Sequence, residues 1–251
     1  MYRALALLLA IAAAAPQTPP AVTVSAAISL TDALTAAAEQ YKSAGGGPVL
    51  FNFGGSNVLA RQIVNGAPVD LFISADEAQM DLVARAGLVA DGTRVNLLTN
   101  LLAVVVPGDR PRTLSGIRDL LDPAFKRIAI GDPDAVPAGV YAKAFLQQEG
   151  LWDALRPRIV TSTNVRAALT AVETGAADAG IVYRTDARMS THAAVAWTVP
   201  AERGPRIVYP AAIVKGAAHA GEAARFLAFL RGAEADRIFA RFGFARPPAG
   251  R

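Results

Sequence analysis

The chain has 251 residues, of which 53% are hydrophobic, with a formal net charge of +4 and no cysteine. This is the composition of a globular protein with one or two domains, not of a disordered chain. The missing cysteines exclude disulfides, thiolate zinc sites and a lipidated N-terminal Cys. Basic residues are scattered singly, without the runs or the basic-aromatic alternation of nucleic-acid binders, so we expect no nucleic-acid partner.

The N-terminus has the pattern of a secretory signal. Arg3 supplies a charged start, residues 4–15 are all Ala, Leu or Ile, and small residues close the run. The run is too short for a spanning helix, which needs about 20 residues. Pro16 disfavours cleavage at the obvious point, so we assign residues 1–20 jointly to signal peptide and leader. We therefore expect a periplasmic protein.

Strand-like and helix-like segments alternate along the rest of the chain. Apolar or alternating runs predict about eight strands, at residues 22–26, 49–53, 71–74, 101–106, 128–130, 159–160, 180–183 and 207–214. Apolar residues at helical spacing follow most of these strands, and two more helices are predicted at residues 222–230 and 234–242. This alternation predicts an α/β fold with mainly parallel sheets.

The long apolar strand midway along the chain suggests two α/β lobes. We place extended crossovers near residues 97–103 and 205–211. The predicted first lobe combines residues 21–100 with 207–251, and the predicted second lobe is residues 101–206.

Four junctions share one design, in which a strand ends, small residues follow and a helix begins. They are Ala27-Ile28-Ser29, Gly54-Gly55-Ser56, Val136-Pro137-Ala138-Gly139 and Thr163-Asn164-Val165. The first N–H groups of a helix have no partner in the helix, and the macrodipole adds partial positive charge there. Such junctions can bind an anion without any basic side chain.

The alternative for these junctions is ordinary helix capping. Ser29, Ser56 and Asn164 are all favoured N-cap residues. Capping explains any one junction better than anion binding does. The number of junctions, and the preference of ligands for the carboxyl edge of parallel strands, indicate a small-anion site.

Catalytic and cation sites have weaker signals. His192 and His219 have no cluster of candidate catalytic residues around them in the sequence, and no Gly-x-Ser-x-Gly motif is present. Asp132 and Asp134 lack the twelve-residue calcium pattern, and no lysine follows Gly54-Gly55-Ser56 as a phosphate loop requires. A hydrolase that uses Ser29 or Ser56 remains a remote alternative, with no base placed beside either serine.

Eight short sequence motifs, taken in their order along the chain, resemble those of a known family. They are AAISLTDA at 26–33, FNFGGS at 51–56, LARQI at 59–63, GAPVDLFISAD at 66–76, GDP at 131–133, VPAG at 136–139, NVR at 164–166 and GIVY at 180–183. Together they resemble the periplasmic molybdate-binding proteins of ABC importers, over residues 22–244.

The resemblance implies a two-lobe solute-binding protein that is not an enzyme and needs no cofactor. It would hold molybdate or tungstate in the interlobe cleft, act as a monomer, and deliver the anion to the membrane permease of an ABC importer. The implied ligands are the hydroxyls of Ser29, Ser56 and Tyr183 and the backbone amides of Ala138 and Val165. Two positions depart from the family pattern, since Ile28 replaces a more usual alanine and Asn57 stands where a serine is common.

A cage of neutral donors suits a fully deprotonated dianion, whose oxygens only accept hydrogen bonds. Hydrogenphosphate carries a proton, and in such a cage that proton would face another donor and find no acceptor. Sulfate has to be rejected by size, whereas tungstate has nearly the size and charge of molybdate. Sulfate, thiosulfate or another oxyanion remains the alternative ligand.

Overall fold

The structure is a computed structural model that describes residues 19–248, so the predicted signal segment lies almost wholly outside the described residues. Ten strands form two sheets of five in this part of the chain. The first sheet contains β1 (Val22–Ala27), β2 (Val49–Gly54), β3 (Leu71–Ile73), β4 (Val95–Asn100) and β10 (Ile207–Ile213). The second contains β5 (Leu102–Pro107), β6 (Ile128–Gly131), β7 (Ile159–Ser162), β8 (Ala179–Tyr183) and β9 (Ala193–Thr198).

Helices follow most of the strands and cover the sheets. Their bounds are α1 (Thr31–Ser43), α2 (Ser56–Val64), α3 (Glu77–Arg85), α4 (Pro137–Gln148), α5 (Trp152–Leu155), α6 (Val165–Glu173), α7 (Arg184–Met189), α8 (Ala220–Leu230) and α9 (Ala233–Arg241). Among these residues, no helix combines the length and apolar content needed to cross a bilayer.

The two sheets have the same plan. The strand orders are β2-β1-β3-β10-β4 and β7-β6-β8-β5-β9. In each sheet the first two pairings are parallel and the last two are antiparallel. The predicted two-lobe α/β fold is therefore confirmed, with mixed sheets in which one strand, β10 or β5, runs against the other four.

The chain passes between the sheets twice. Strand β4 ends at Asn100 and β5 begins at Leu102, so the first crossing is one residue long. The second runs from the end of β9 to the start of β10 at Ile207. We propose residues 21–100 with 207–251 as the first lobe and 101–206 as the second, because this division keeps each sheet whole.

Two strands differ from the predicted pattern. Residues 95–100 pair with β10 as β4, although part of this segment was predicted as a crossover. Residues 193–198 pair with β5 as β9, where no strand was predicted. The alanines in β9 have low strand propensity, so pairing with a buried neighbour determines this strand.

Apolar faces at helical spacing fix the helices to the sheets. In α6 the buried residues are Val165, Ala168, Leu169 and Val172, which form one stripe against the second sheet. The six residues of β5 are all buried, as expected of a strand covered on both faces. At the end of the chain, α8 packs on α1 through Phe226, whose ring centroid lies 5.2 Å from that of Tyr41.

Candidate functional site

The carboxyl ends of the parallel strands in the two sheets face each other across one small cavity. Its volume is about 220 Å³ including its opening to solvent. Only about 10 Å³ of this space is open to the centre of a water-sized molecule, so the cavity is tight and suits a guest of very few atoms. Its lining residues are Ala27, Ile28, Ser29, Gly54, Gly55, Ser56, Ala75, Val136, Pro137, Ala138, Asn164, Val165 and Tyr183.

Ser56 is the first residue of α2 and does not cap it. The N-cap is Gly55, and no side-chain bond caps this helix. The Ser56 hydroxyl instead accepts a hydrogen bond from the backbone N–H of Ala75, at 2.9 Å. The serine is 1% exposed, and its own proton stays available for a partner in the cavity.

Ser29 does not cap a helix either. It lies in a short 3₁₀ turn, Ile28–Leu30, between β1 and α1, and neither that turn nor α1 has a side-chain cap bond. Its hydroxyl oxygen lies 3.1 Å from that of Tyr209 on β10. The capping explanation therefore fails for both serines.

The Ala138 junction depends on close packing between a strand and a helix. Helix α4 begins with Pro137 and has no side-chain cap, so Ala138 is its second residue. A Cβ added at Gly139 would lie 2.0 Å from the carbonyl oxygen of Gly131, the last residue of β6. Glycine at 139 is thus required for the start of α4 to meet the end of β6, where the cavity lies.

The Val165 junction is the one that has an ordinary cap. The Asn164 side chain accepts a hydrogen bond from the N–H of Ala167 at 2.9 Å. Val165 is the first residue of α6, and the N–H of a first helical residue has no acceptor within its helix. Capping by Asn164 therefore leaves the Val165 amide free to bind an anion.

Tyr183 ends β8 and is 1% exposed. Its hydroxyl has no hydrogen-bond partner among the described residues. Burial raises the pKa of this hydroxyl well above its ordinary value, so the group keeps its proton. A buried donor without a partner costs free energy, and a bound acceptor would relieve that cost.

An arginine connects the two lobes beside the cavity. Arg166, the second residue of α6, donates to Asp186 on α7 and to Asp32 on α1, the latter at 2.6 Å. Burial raises the pKa of Asp186 to about 7, although Arg166 opposes the shift. The Arg166 guanidinium is committed to these carboxylates and is not part of the cavity lining.

The lobes are in contact at the cavity. A Cβ at Gly55 in the first lobe would lie 3.2 Å from the carbonyl oxygen of Thr163 in the second. Glycine at position 55 therefore allows the backbones of the two lobes to approach each other. The structure is that of a closed cleft.

The five residues predicted as ligands, Ser29, Ser56, Ala138, Val165 and Tyr183, all line this one cavity. Their role as ligands stays a prediction, to which the geometry adds three hydroxyls and two helix starts around a common space. Within residues 19–248, no lysine, arginine or carboxylate contributes to the lining.

Sequence reasoning missed two residues of this region, Ala75 and Tyr209. Ala75 precedes α3 and follows β3, so the same strand, small residue and helix pattern could have indicated it. Tyr209 had no such signal, because it lies within an apolar strand and meets Ser29 across 180 residues of sequence. Asn57, a departure noted above, has a buried side-chain oxygen without a partner in the described chain.

The other candidates lie away from the cavity. His219 contacts Asp70, which precedes β3, and His192 precedes β9. Both positions are at the amino ends of strands whose carboxyl ends face the cavity. Asp132 accepts from the N–H of Asp134 in a turn, and residues 19–248 contain no cluster of His and acidic side chains suited to a metal ion.

Comparison with known proteins agrees with this architecture. The family model described as bacterial extracellular solute-binding protein matches residues 22–245. The molybdate-binding protein ModA of Escherichia coli (strain K12) is 42% identical over 229 residues, 89% of this chain and 88% of that protein. ModA of Haemophilus influenzae is 34% identical over 234 residues, 89% of each chain.

A solved structure has the same fold along nearly the whole chain. The periplasmic molybdate-binding protein of Azotobacter vinelandii aligns with a TM-score of 0.80 and 29% identity, covering 90% of this chain and 99% of that one. The family match, the two relatives and this structure all span the two sheets that enclose the cavity. The chain belongs to the bacterial extracellular solute-binding proteins.

Proposed function

We propose that this protein captures molybdate or tungstate in the cavity between its lobes and delivers the anion to the membrane permease of an ABC importer. One observation carries the proposal: three buried hydroxyls and two helix starts from both lobes converge on a cavity to which the described part of the chain contributes no charged side chain. The relatives named as molybdate-binding proteins support this choice of ligand.

The geometry favours an anion whose oxygens only accept hydrogen bonds. Ser56 and Tyr183 each retain a proton to donate, and the helix starts add N–H groups and partial positive charge. Hydrogen bonds to a charged group contribute about 1.5–3 kcal/mol each, so five of them support tight binding in a closed cleft. The anion is cargo and not a cofactor.

We further propose that the chain acts as a binding protein and not as an enzyme. A serine hydrolase needs a base within hydrogen-bond reach of its serine. Ser29 meets a tyrosine hydroxyl and Ser56 meets a backbone N–H, while both histidines lie at the opposite strand ends. A periplasmic monomer with a cleaved N-terminal signal fits the family and completes the proposal.

Titration calorimetry on the mature protein with molybdate, tungstate, sulfate and phosphate tests the ligand. We expect tight binding of the first two at one site per chain, and far weaker binding of the others. Indifference to molybdate and tungstate would end the proposal, and preference for sulfate would replace the ligand while retaining the site.

Ser56→Ala is expected to weaken molybdate binding by roughly 1–3 kcal/mol, because it removes a hydroxyl donor from the cavity. The substitution also leaves the Ala75 N–H without its acceptor, so thermal stability should fall modestly. Calorimetry and thermal melts measure the two effects. The matched control is Ser43→Ala on the exposed end of α1, whose hydroxyl donates to the Glu39 carbonyl within the same helix. Equal affinities in the two variants would remove Ser56 from the site.

Asp32→Ala is expected to speed molybdate release about two- to fivefold with little change in the association rate. The Asp32–Arg166 ion pair joins the lobes, so it stabilises the closed, ligand-bound form in particular. Stopped-flow measurement of both rates tests this. In the control Asp81→Ala, the lost ion pair with Arg94 lies within the first lobe, so an equal effect there would contradict the interlobe role of Asp32.

A further inference from the structure

Tyr209 lies behind the cavity wall and is completely buried. Its hydroxyl oxygen is 3.1 Å from the Ser29 hydroxyl oxygen and 3.1 Å from Nδ2 of Asn100. The Tyr209 ring packs against that of Tyr183, with centroids 5.8 Å apart. Tyr209 therefore contacts one predicted ligand through its hydroxyl and another through its ring, without lining the cavity itself.

The orientation of the Asn100 amide is fixed by the backbone. Its Oδ1 accepts from the N–H of Leu101 at 2.9 Å, and a backbone N–H can only donate. The Nδ2 group must then face the other way, where its two protons reach Thr185 Oγ1 at 2.8 Å and Tyr209 Oη. Asn100 is thus a donor to Tyr209.

This arrangement fixes the direction of the Tyr209 proton. Since the hydroxyl accepts from Asn100, its own proton needs an acceptor, and Ser29 Oγ is the one available among residues 19–248. A reversed bond, from Ser29 to Tyr209, would leave a buried proton without an acceptor, which costs free energy. Burial also raises the pKa of Tyr209, so its proton is retained.

Ser29 is consequently an acceptor toward Tyr209 and has its own proton free. Ser56 reaches the same state by a different route, because its oxygen accepts from the Ala75 N–H. The hydroxyls of Ser29 and Ser56, which both belong to the first lobe, are therefore oriented to donate into the cavity.

We propose that Tyr209, held by Asn100, directs the Ser29 proton into the cavity and thereby makes the site select oxyanions that carry no proton. Tyr209 acts through Ser29 and is a positioning residue. The inference rests on the proposed function, since it explains how the anion site distinguishes its cargo. A protonated oxyanion needs an acceptor for its O–H, and the Asn100–Tyr209–Ser29 chain withholds one.

A double-mutant cycle tests this action through Ser29. Molybdate affinity is measured by calorimetry for the mature wild-type chain, Ser29→Ala, Tyr209→Phe and the double variant. Tyr209→Phe keeps the ring and is expected to weaken binding about 5- to 30-fold, the effect of one misdirected hydrogen bond. In the Ser29→Ala background the same change should have almost no further effect, because the group that it orients is gone.

Selectivity gives a second readout that a purely structural role would not move. Without the Tyr209 hydroxyl, Ser29 can turn and accept a proton from the ligand. The ratio of the phosphate and molybdate dissociation constants, measured by competition at pH 8, should therefore fall roughly tenfold in Tyr209→Phe. Asn100→Ala removes the donor to Tyr209, so the Tyr209 hydroxyl can then accept from Ser29 instead of donating to it. This variant should shift the ratio in the same direction, and it replaces Tyr209→Phe if that variant does not fold.

The outcomes separate the two proposals. Failure of the wild-type chain to bind molybdate overturns the proposed function and this inference with it. If the wild-type chain binds molybdate but the losses in the cycle are additive, or the selectivity ratio is unchanged, the role of Tyr209 is overturned. The proposed function then stands.

Discussion

Val165→Pro is expected to weaken molybdate binding about 10- to 150-fold while the fold is retained. Proline lacks a backbone N–H, so the substitution deletes the donor that this position is proposed to supply. Val165 is the first residue of α6, the helical position that tolerates proline best. Asn164 already has the extended conformation that the residue before proline requires, with φ −162° and ψ 173°.

The matched control is Val165→Ala, which shortens the same buried side chain and keeps the N–H. Both variants lose apolar contacts with the core around α6, so both should show some loss of thermal stability. Calorimetry should show the large loss of affinity in the proline variant alone. Equal affinity in the two variants would mean that the Val165 amide does not bind the anion.

Gly139→Ala is expected to destabilise the protein by at least about 3 kcal/mol and to abolish binding. The new Cβ would lie 2.0 Å from the Gly131 carbonyl oxygen, which belongs to the sheet backbone and not to the end of a flexible side chain. Helix α4 would have to move away from β6, and the Ala138 amide would leave the cavity with it. In a chain of this size the change corresponds to a fall in Tm of roughly 6–12 °C.

Gly221→Ala is the control for the added methyl group. Gly221 lies in α8, and a Cβ there would meet nothing within 4 Å. The substitution should stabilise the helix by roughly 0.5–1 kcal/mol and leave binding unchanged. A Gly139→Ala variant as stable as the wild type and with full affinity would contradict the close packing of α4 on β6.

The fold could be predicted from sequence as far as local patterns extend. Short apolar runs gave strands such as β5 and β6, and helical spacing gave α6, because each pattern reports which face of the element is buried. Pairing direction could not be predicted: β10 lies between β3 and β4 and reverses the sheet, and nothing local in its sequence specifies those neighbours. The crossing at Leu101 falls within the crossover predicted near residues 97–103, but strand β4 was hidden, because β4 and β5 follow each other almost without a break.

For the candidate site, too, the local features could be predicted from the sequence and the long-range contacts could not. Its small residues and helix starts could be identified because each junction is local, and the family resemblance linked the junctions to Tyr183. The partners of the serines could not be identified, since Ser29 meets Tyr209 and Ser56 meets Ala75 only in the folded chain. Those partners show that Ser29 and Ser56 do not cap helices, and they are the basis for proposing both serines as donors.

A crystal structure of the protein grown with molybdate, with anomalous scattering recorded at the molybdenum edge, would locate the bound anion and its ligands. We expect one strong molybdenum peak between the lobes. Its oxygens should lie about 2.7–3.2 Å from the Ser29, Ser56 and Tyr183 hydroxyls and from the Ala138 and Val165 amides. A molybdenum peak outside this cavity, or one held by arginine or lysine side chains, would contradict it.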